Sequence, residues 1–261
     1  MMTTSRREFL RIASAGAAGV MMAAGADPVL GMIFPPANYP VPPEAAQMYP
    51  HGVRFLAEGV GLERMTPEGY DKVIDRIVPA AQKLAKLGAN AVSLMGTSLS
   101  FYKGAAFNQQ LADSIHKATG LPSTTMSTAI VEGLKAVGGR RVAVATAYND
   151  VVNQRLEIFL KESGFEVLGV KGMGIERFED APPVTQEGLL KFSAGVFESM
   201  PKADSLLISC GALKTLELLE PLEKRCKVPV VSSAPHALWA SVRLVGLSGQ
   251  SKGFGSLLAK G

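Results

Sequence analysis

A cysteine at the end of an apolar run is the residue best placed to do chemistry. Cys210 follows the run Ser205–Ser209, which has the composition of a buried strand, and Gly211 leads into a segment with helical spacing. A thiol between a strand and a helix faces the positive end of the helix dipole, where it can titrate and transfer a proton. The alternative for an isolated cysteine is a small core side chain, and Cys226, flanked by basic residues, is assigned to that class.

Hydroxyl-bearing side chains follow two other apolar runs. Thr97 and Ser98 come after the run 91–95, and Tyr148 comes after the run Arg141–Thr146. Together with backbone N–H groups, three hydroxyls at strand ends can form a neutral cradle for a carboxylate or for the two oxygens of an enolate-like group. Such hydroxyls are also common as helix caps, which is the alternative interpretation.

Composition and spacing exclude several classes of protein. Two cysteines are too few for a disulfide framework, and the histidines His51, His116 and His236 lack the spacing of zinc ligands. The net charge of +4 is spread without runs of like charge, so no nucleic-acid partner is predicted. No glycine-rich dinucleotide or phosphate fingerprint occurs. His236, directly after Pro235, is predicted to be a solvated histidine at a helix start.

Short apolar runs alternate with helical segments along the chain. Strands are predicted at 29–34, 91–95, 141–146, 166–170, 205–209 and 228–232. Helices are predicted at 66–87, 105–118, 127–137, 150–163, 185–200, 213–225 and 235–244. Thr66 is a good cap for the first of these helices, and Pro67 suits its first position. Alternating strands and helices predict an α/β fold with parallel sheets covered on both faces.

The strand pattern occurs twice. Residues 91–97 parallel residues 205–211, because each segment is an apolar run that ends in a small or reactive residue and a turn. This predicts two similar lobes, with residues 27–133 plus 233–261 in lobe 1 and residues 134–232 in lobe 2. Since ligands of parallel sheets lie outside the carboxyl ends of the strands, we expect the site in a cleft between the lobes.

The first 26 residues have the pattern of an export signal. The pair Arg6 and Arg7 precedes an uncharged run, 12–26, that ends in Ala-Gly-Ala, and this order is typical of the twin-arginine route. The run is shorter than the roughly 20 apolar residues of a membrane-spanning helix. The pattern predicts transient contact with the export machinery, a periplasmic location and no stable membrane anchor. A frayed N-terminal helix with two chance arginines is the alternative.

The most distinctive stretch of the sequence is Ser-Leu-Met-Gly-Thr-Ser-Leu-Ser-Phe-Tyr at 93–102. Further distinctive stretches lie at 31–33, 35–36, 66–71, 104–108, 124–129, 145–148, 209–211 and 228–233. In these stretches the sequence closely resembles the arylmalonate decarboxylase family of the aspartate/glutamate racemase superfamily. The resemblance spans nearly all of the chain after the signal. It implies two pseudo-symmetric Rossmann-like lobes around a central cleft, with no metal or organic cofactor.

The resemblance also implies a small-molecule dicarboxylate substrate and a role for each candidate residue. One carboxylate of a 2-aryl malonate would lie in a cradle of Thr97, Ser98, Tyr148 and the backbone of Gly211. Loss of CO2 would leave an enediolate, and Cys210 would protonate one face of it, which gives a single enantiomer.

An apolar wall for the second carboxylate is a further implication of the resemblance. Its residues would be Pro36, Leu62, Met65, Leu99 and Phe178. Two features depart from the family pattern, namely Ala212, where the family has a second glycine after the cysteine, and the export signal. Both leave the identity of the substrate more open than the type of reaction.

Two other functions remain as alternatives. Racemases of the superfamily carry a cysteine on each lobe, whereas this chain has Gly96 at the mirrored position, which argues against a racemase or a maleate cis-trans isomerase. A periplasmic protein that binds carboxylates without turnover is the second alternative.

Overall fold

Two parallel four-stranded sheets form the framework of the computed structural model, which describes residues 26–177 and 184–261. The first sheet contains β1 (Val29–Phe34), β2 (Arg54–Gly59), β3 (Ala91–Leu94) and β4 (Ser123–Thr125), in the order β2-β1-β3-β4. The second contains β5 (Arg141–Thr146), β6 (Glu166–Gly172), β7 (Ser205–Ser209) and β8 (Val230–Ser232), in the order β6-β5-β7-β8. The identical orders confirm the predicted α/β fold with two similar halves. The proposed lobe boundaries themselves stay a prediction.

The helices connect the strands. They are α1 (Pro43–Met48), α2 (Pro67–Val73), α3 (Ile77–Lys86), α4 (Thr97–Phe101), α5 (Ala105–Thr119), α6 (Met126–Ala136), α7 (Asp150–Glu162), α8 (Gln186–Glu198), α9 (Leu219–Cys226) and α10 (Ser233–Arg243). Side-chain caps start several of them: the Oγ1 atoms of Thr66, Thr125 and Thr185 each accept a hydrogen bond from a backbone N–H three residues on. Within the described ranges, no helix is both long and apolar enough to span a bilayer.

Two predicted helices contain a 3-10 turn followed by an α-helix with a proline in its first turn. The helix predicted at 66–87 is divided into α2, a 3-10 turn at Ile74–Arg76, and α3. The helix predicted at 213–225 becomes a 3-10 turn and then α9. Pro79 and Pro221 stand in the first turns of α3 and α9. Proline lacks the N–H that an interior helical position needs and is tolerated in a first turn, so each helix restarts just before its proline.

His236 is buried, contrary to the prediction of a solvated residue. It lies in the first turn of α10 with 1% of its surface exposed. Its Nδ1 atom is 3.0 Å from the backbone nitrogen of Ser232. Burial lowers the pKa of His236 to about 4, because an imidazolium without solvent is unfavourable. His236 is therefore a neutral part of the core under ordinary conditions.

Candidate active site

One pocket lies where the carboxyl ends of the central strands of both sheets meet. Its lining residues follow β1, β3, β5 and β7, apart from Met65 on the loop before α2. The lining consists of Phe34, Pro35, Pro36, Tyr39, Met65, Met95, Gly96, Thr97, Ser98, Tyr148, Cys210, Gly211 and Ala212. The pocket encloses about 370 Å³ of empty space, counting its open mouth. This is where parallel sheets place ligands.

Cys210 lies in this pocket as a buried, neutral thiol. It is 3% exposed, and burial raises its pKa to about 11, although the backbone N–H groups of Ala212 and Leu213 and the hydroxyl of Tyr148 act in the opposite direction. The prediction that Cys210 faces the positive end of a helix dipole is wrong, because Cys210 begins a turn and α9 starts only at Leu219. The sulfur is therefore a protonated thiol at neutral pH rather than a thiolate.

The hydroxyl of Ser233 links Thr97 with the backbone of Cys210. Ser233 Oγ accepts one hydrogen bond from the backbone N–H of Cys210, at 3.1 Å, and another from Thr97 Oγ1, at 3.0 Å. Thr97 follows a strand of the first sheet and Cys210 follows a strand of the second. Ser233 thus fixes the distance between the two sides of the pocket.

The phenol of Tyr148 completes the group of hydroxyls. Its side chain is 1% exposed, and its Oη atom is 3.4 Å from Ser209 Oγ. The ring packs edge-on against Phe101, with centroids 5.9 Å apart. Burial raises the pKa of Tyr148 well above its ordinary value, so the hydroxyl stays protonated and can donate a hydrogen bond to an anion.

The pocket carries no formal charge of its own. Within the described part of the chain, no Asp, Glu, Lys, Arg or His is among its lining residues. An anion bound there is stabilised by hydrogen-bond donors alone, and in a water-poor pocket such donors act strongly on charge that develops during a reaction.

The structure brings most of the predicted site residues together. Thr97, Ser98, Tyr148, Cys210 and Gly211 all line the pocket, as do Pro36 and Met65 from the predicted apolar wall. The departure from the family pattern, Ala212, lines it as well.

Two predicted wall residues that the structure describes are not among the lining. Leu62 and Leu99 are buried in the hydrophobic core, at 4% and 0% exposure. Phe178 lies outside the described residues. Two residues at the site, Ser233 and Tyr39, were not predicted from the sequence. Ser233 stands in a distinctive stretch, but a hydroxyl at a helix start is so common that its type alone gave no signal.

Gly96 and Cys210 line the pocket from different sheets. Each follows the third strand of its sheet in spatial order, β3 or β7. The backbone of Gly96, with φ −136° and ψ 97°, suits any residue. A Cβ atom there would lie 2.7 Å from Pro35 Cγ and 3.3 Å from Leu99 Cβ. Close packing, and not backbone conformation, therefore favours glycine at this position.

Known proteins share the sequence and the fold. The family model described as arylmalonate decarboxylase matches residues 30–258. The arylmalonate decarboxylase of Bordetella bronchiseptica is 49% identical over 231 residues, which are 88% of this chain and 96% of that protein. The structure of a double mutant of arylmalonate decarboxylase in the liganded form superposes with a TM-score of 0.87 at 47% identity, over 90% of this chain and 100% of that one.

The maleate isomerase Iso from Pseudomonas putida S16 has a similar structure, with a TM-score of 0.82 over 90% of this chain and 99% of that one. Its identity is 19%, so this likeness shows the fold alone.

The family model and the 49% identical relative each cover most of the chain. The protein therefore belongs to the arylmalonate decarboxylase family.

Proposed function

We propose that the protein is a carboxy-lyase that decarboxylates 2-aryl malonates to single-enantiomer monocarboxylic acids without a cofactor. The observation that carries this proposal is the presence of one protonated thiol and several neutral hydrogen-bond donors in a single uncharged pocket. Membership of the family supports the reaction class, since the relatives are arylmalonate decarboxylases.

The cradle acts on the carboxylate that stays. The hydroxyls of Thr97, Ser98 and Tyr148 and the N–H of Gly211 hold its oxygens, while the other carboxylate faces apolar side chains such as Met65. For this, the Thr97 proton turns from Ser233 Oγ to the substrate, and the Ser233 hydroxyl donates to Thr97 Oγ1 instead. When the bond to the departing carboxylate breaks, CO2 leaves and the electron pair stays on the α-carbon. The pair delocalises into the retained carboxylate and forms an enediolate. The two oxygens of the enediolate carry more negative charge than those of the bound carboxylate. Fixed donors therefore stabilise the transition state more than the ground state.

Cys210 then ends the reaction. Its Sγ–H bond breaks, the proton forms a C–H bond at the α-carbon, and the resulting thiolate regains a proton from water. A pKa of about 11 keeps the thiol protonated when the dianion binds, which a general acid requires. Because the acid stands on one side of the planar enediolate, only one enantiomer forms.

The mirrored positions distinguish this reaction from racemisation. A racemase needs an acid or base on each face, and this pocket has Cys210 on one side and Gly96 on the other. The second cysteine of the chain, Cys226, ends α9 and does not line the pocket. In the related double mutant, a glycine is replaced by cysteine and a cysteine by serine, and the two positions are separated by as many residues as Gly96 and Cys210.

The direct test is turnover of a prochiral malonate. Purified protein incubated with 2-methyl-2-phenylmalonate is expected to release CO2 and to form one enantiomer of 2-phenylpropionate, read by chiral chromatography. A racemic product would contradict protonation by one positioned acid. Binding of the diacid without release of CO2 would support the alternative of a carboxylate-binding protein.

Tyr148→Phe tests the cradle. The variant removes one donor to the enediolate and keeps the ring, so kcat is expected to fall about a hundredfold, equivalent to about 3 kcal/mol of barrier. Tyr102→Phe is the matched control, because that hydroxyl binds Asp71 at 2.8 Å, outside the pocket lining. Equal kcat values for both variants, with unchanged thermal unfolding, would show that Tyr148 does not donate a hydrogen bond to the enediolate.

We further propose that residues 1–26 are a twin-arginine export signal and that the protein works in the periplasm. The paired arginines Arg6 and Arg7 ahead of an uncharged run support this proposal. The double change Arg6→Lys/Arg7→Lys is expected to retain the protein in the cytoplasm in cell fractionation, whereas Arg11→Lys leaves export intact. Export of the double variant at the wild-type level would contradict the signal.

A further inference from the structure

Tyr39 lines both the substrate pocket and a second cavity. This side cavity lies beside the loop after β1 and has about 400 Å³ of empty space when the open solvent at its mouth is counted. Its walls include Pro42, Glu44, Met126 and Lys214. Phe34, Tyr39, Met95, Gly211 and Ala212 line both the side cavity and the substrate pocket. The two spaces are therefore neighbours with a shared wall.

The ring of Tyr39 is supported from behind. It stacks on Phe34, with centroids 4.7 Å apart and an interplanar angle of 30°, and Phe34 is 4% exposed. Aromatic pairs in this arrangement attract each other beyond the area they bury. The wall thus has a fixed inner layer, Phe34, and an outer layer, Tyr39.

The loop that carries Tyr39 is anchored at its start. The carbonyls of Phe34 and Pro35 accept hydrogen bonds from the backbone N–H groups of Val60, at 3.0 Å, and Leu62, at 2.7 Å. The loop also passes so close to Gly59 that a Cβ atom there would overlap the carbonyl oxygens of Pro36 and Ala37. These contacts limit how far the backbone before Tyr39 can move.

The Tyr39 hydroxyl is neutral. Burial raises the pKa of Tyr39, and the nearby acidic groups of Glu44 and Cys210 raise it further. The side chain consequently acts on a ligand through its ring and one uncharged donor, and it adds no charge to the pocket.

We propose that Tyr39 is a specificity-determining residue whose ring separates the substrate pocket from the side cavity and limits the size of the aryl group on the malonate. This inference rests on the proposed function. With the ring in place, a substituent has only the substrate pocket. Without it, the two cavities join, and a fused bicyclic aryl group gains room between the loop and residues 211–214.

The test compares two aryl groups in two variants. Tyr39→Ala is expected to raise the ratio of kcat/KM for 2-naphthylmalonate over phenylmalonate at least about tenfold. One extra methylene group in an apolar pocket changes kcat/KM by about 10-fold or more, and the second ring of naphthalene adds more contact area than a methylene. Tyr39→Phe keeps the ring and is expected to leave the ratio within about twofold of wild type. An unchanged ratio in a folded Tyr39→Ala variant would overturn the proposal.

A binding measurement separates this inference from the proposed function. Calorimetric affinities for phenylacetate and 2-naphthylacetate are measured for the same three proteins, and the naphthyl preference of Tyr39→Ala is expected to rise by the same factor. If wild-type protein released no CO2 from any malonate, the proposed function would fail, and the affinity ratio would still decide the role of Tyr39. An affinity ratio equal in all three proteins would overturn it.

Discussion

Cys210→Ala is expected to lower kcat for decarboxylation by about 10² to 10⁴, the usual contribution of a positioned general acid. The variant removes the only thiol that lines the pocket in the described part of the chain. Cys226→Ser is the matched control, because that residue ends α9 and is not part of the lining, and its kcat is expected to stay at the wild-type value. Initial rates of CO2 release measure both effects.

Thermal unfolding checks that Cys210→Ala is folded. The variant is expected to fold, because the change removes only a small buried group. A folded variant that keeps wild-type kcat and gives a single enantiomer would show that another group delivers the proton.

The pH profile follows from the same thiol. Burial raises the pKa of Cys210 to about 11, so the protonated, active form is present from neutral pH to about pH 10 and is lost as pH rises through 11. We expect kcat/KM to be flat up to about pH 10 and then to fall. A fall centred near pH 7 would instead indicate an acid with a much lower pKa.

Moving the thiol to the opposite side of the pocket is expected to invert the configuration of the product. In the double variant Gly96→Cys/Cys210→Ser, the thiol stands on the first sheet's side of the pocket and protonates the other face of the enediolate. We expect the opposite enantiomer of 2-phenylpropionate from 2-methyl-2-phenylmalonate, measured by chiral chromatography. The single variant Gly96→Cys has an acid on each face and is expected to racemise 2-phenylpropionate, whereas the wild-type protein is expected to show little of this activity.

Packing lowers the activity of both variants. A Cβ atom at residue 96 would lie 2.7 Å from Pro35 Cγ, so the proline must shift. Gly96→Ala is the control, because it introduces the same Cβ atom without a thiol, and it is expected to slow decarboxylation without altering the enantiomer. If the folded double variant gave the wild-type enantiomer, the mirrored position would not face the substrate.

The central strands were predictable because they are buried on both faces. The bounds of β1, β5 and β7 match the predicted runs, and fully buried parallel strands are continuous apolar segments. β2 and β4 were missed. β2 is a partly exposed edge strand without clear alternation, and β4 has three residues, all hydroxyl-bearing. Neither pattern differs from that of a loop when only the sequence is known.

The site was predictable where chemistry depends on local position. Cys210, Thr97 and Tyr148 follow strand ends, and parallel sheets bring such ends together. Ser233 bonds Thr97 and Cys210, and Tyr39 lines the same two cavities as Gly211 and Ala212. These partners are distant in sequence, so only the folded chain shows them. The sequence left open whether Cys210 is buried, because its burial depends on how both sheets cover the turn after β7.

The two hydrogen bonds of Ser233 make the alignment of the site all-or-none. One reaches Thr97 beside the first sheet, and the other reaches Cys210 beside the second. A hinge movement that widens the gap between the halves by more than about 1 Å stretches one of these bonds beyond its useful length. Thr97 and Ser98 then lose their alignment with Cys210, Tyr148 and Gly211, which follow strands of the second sheet. The full set of oxygen donors therefore acts on the enediolate only when Cys210 is placed to protonate it.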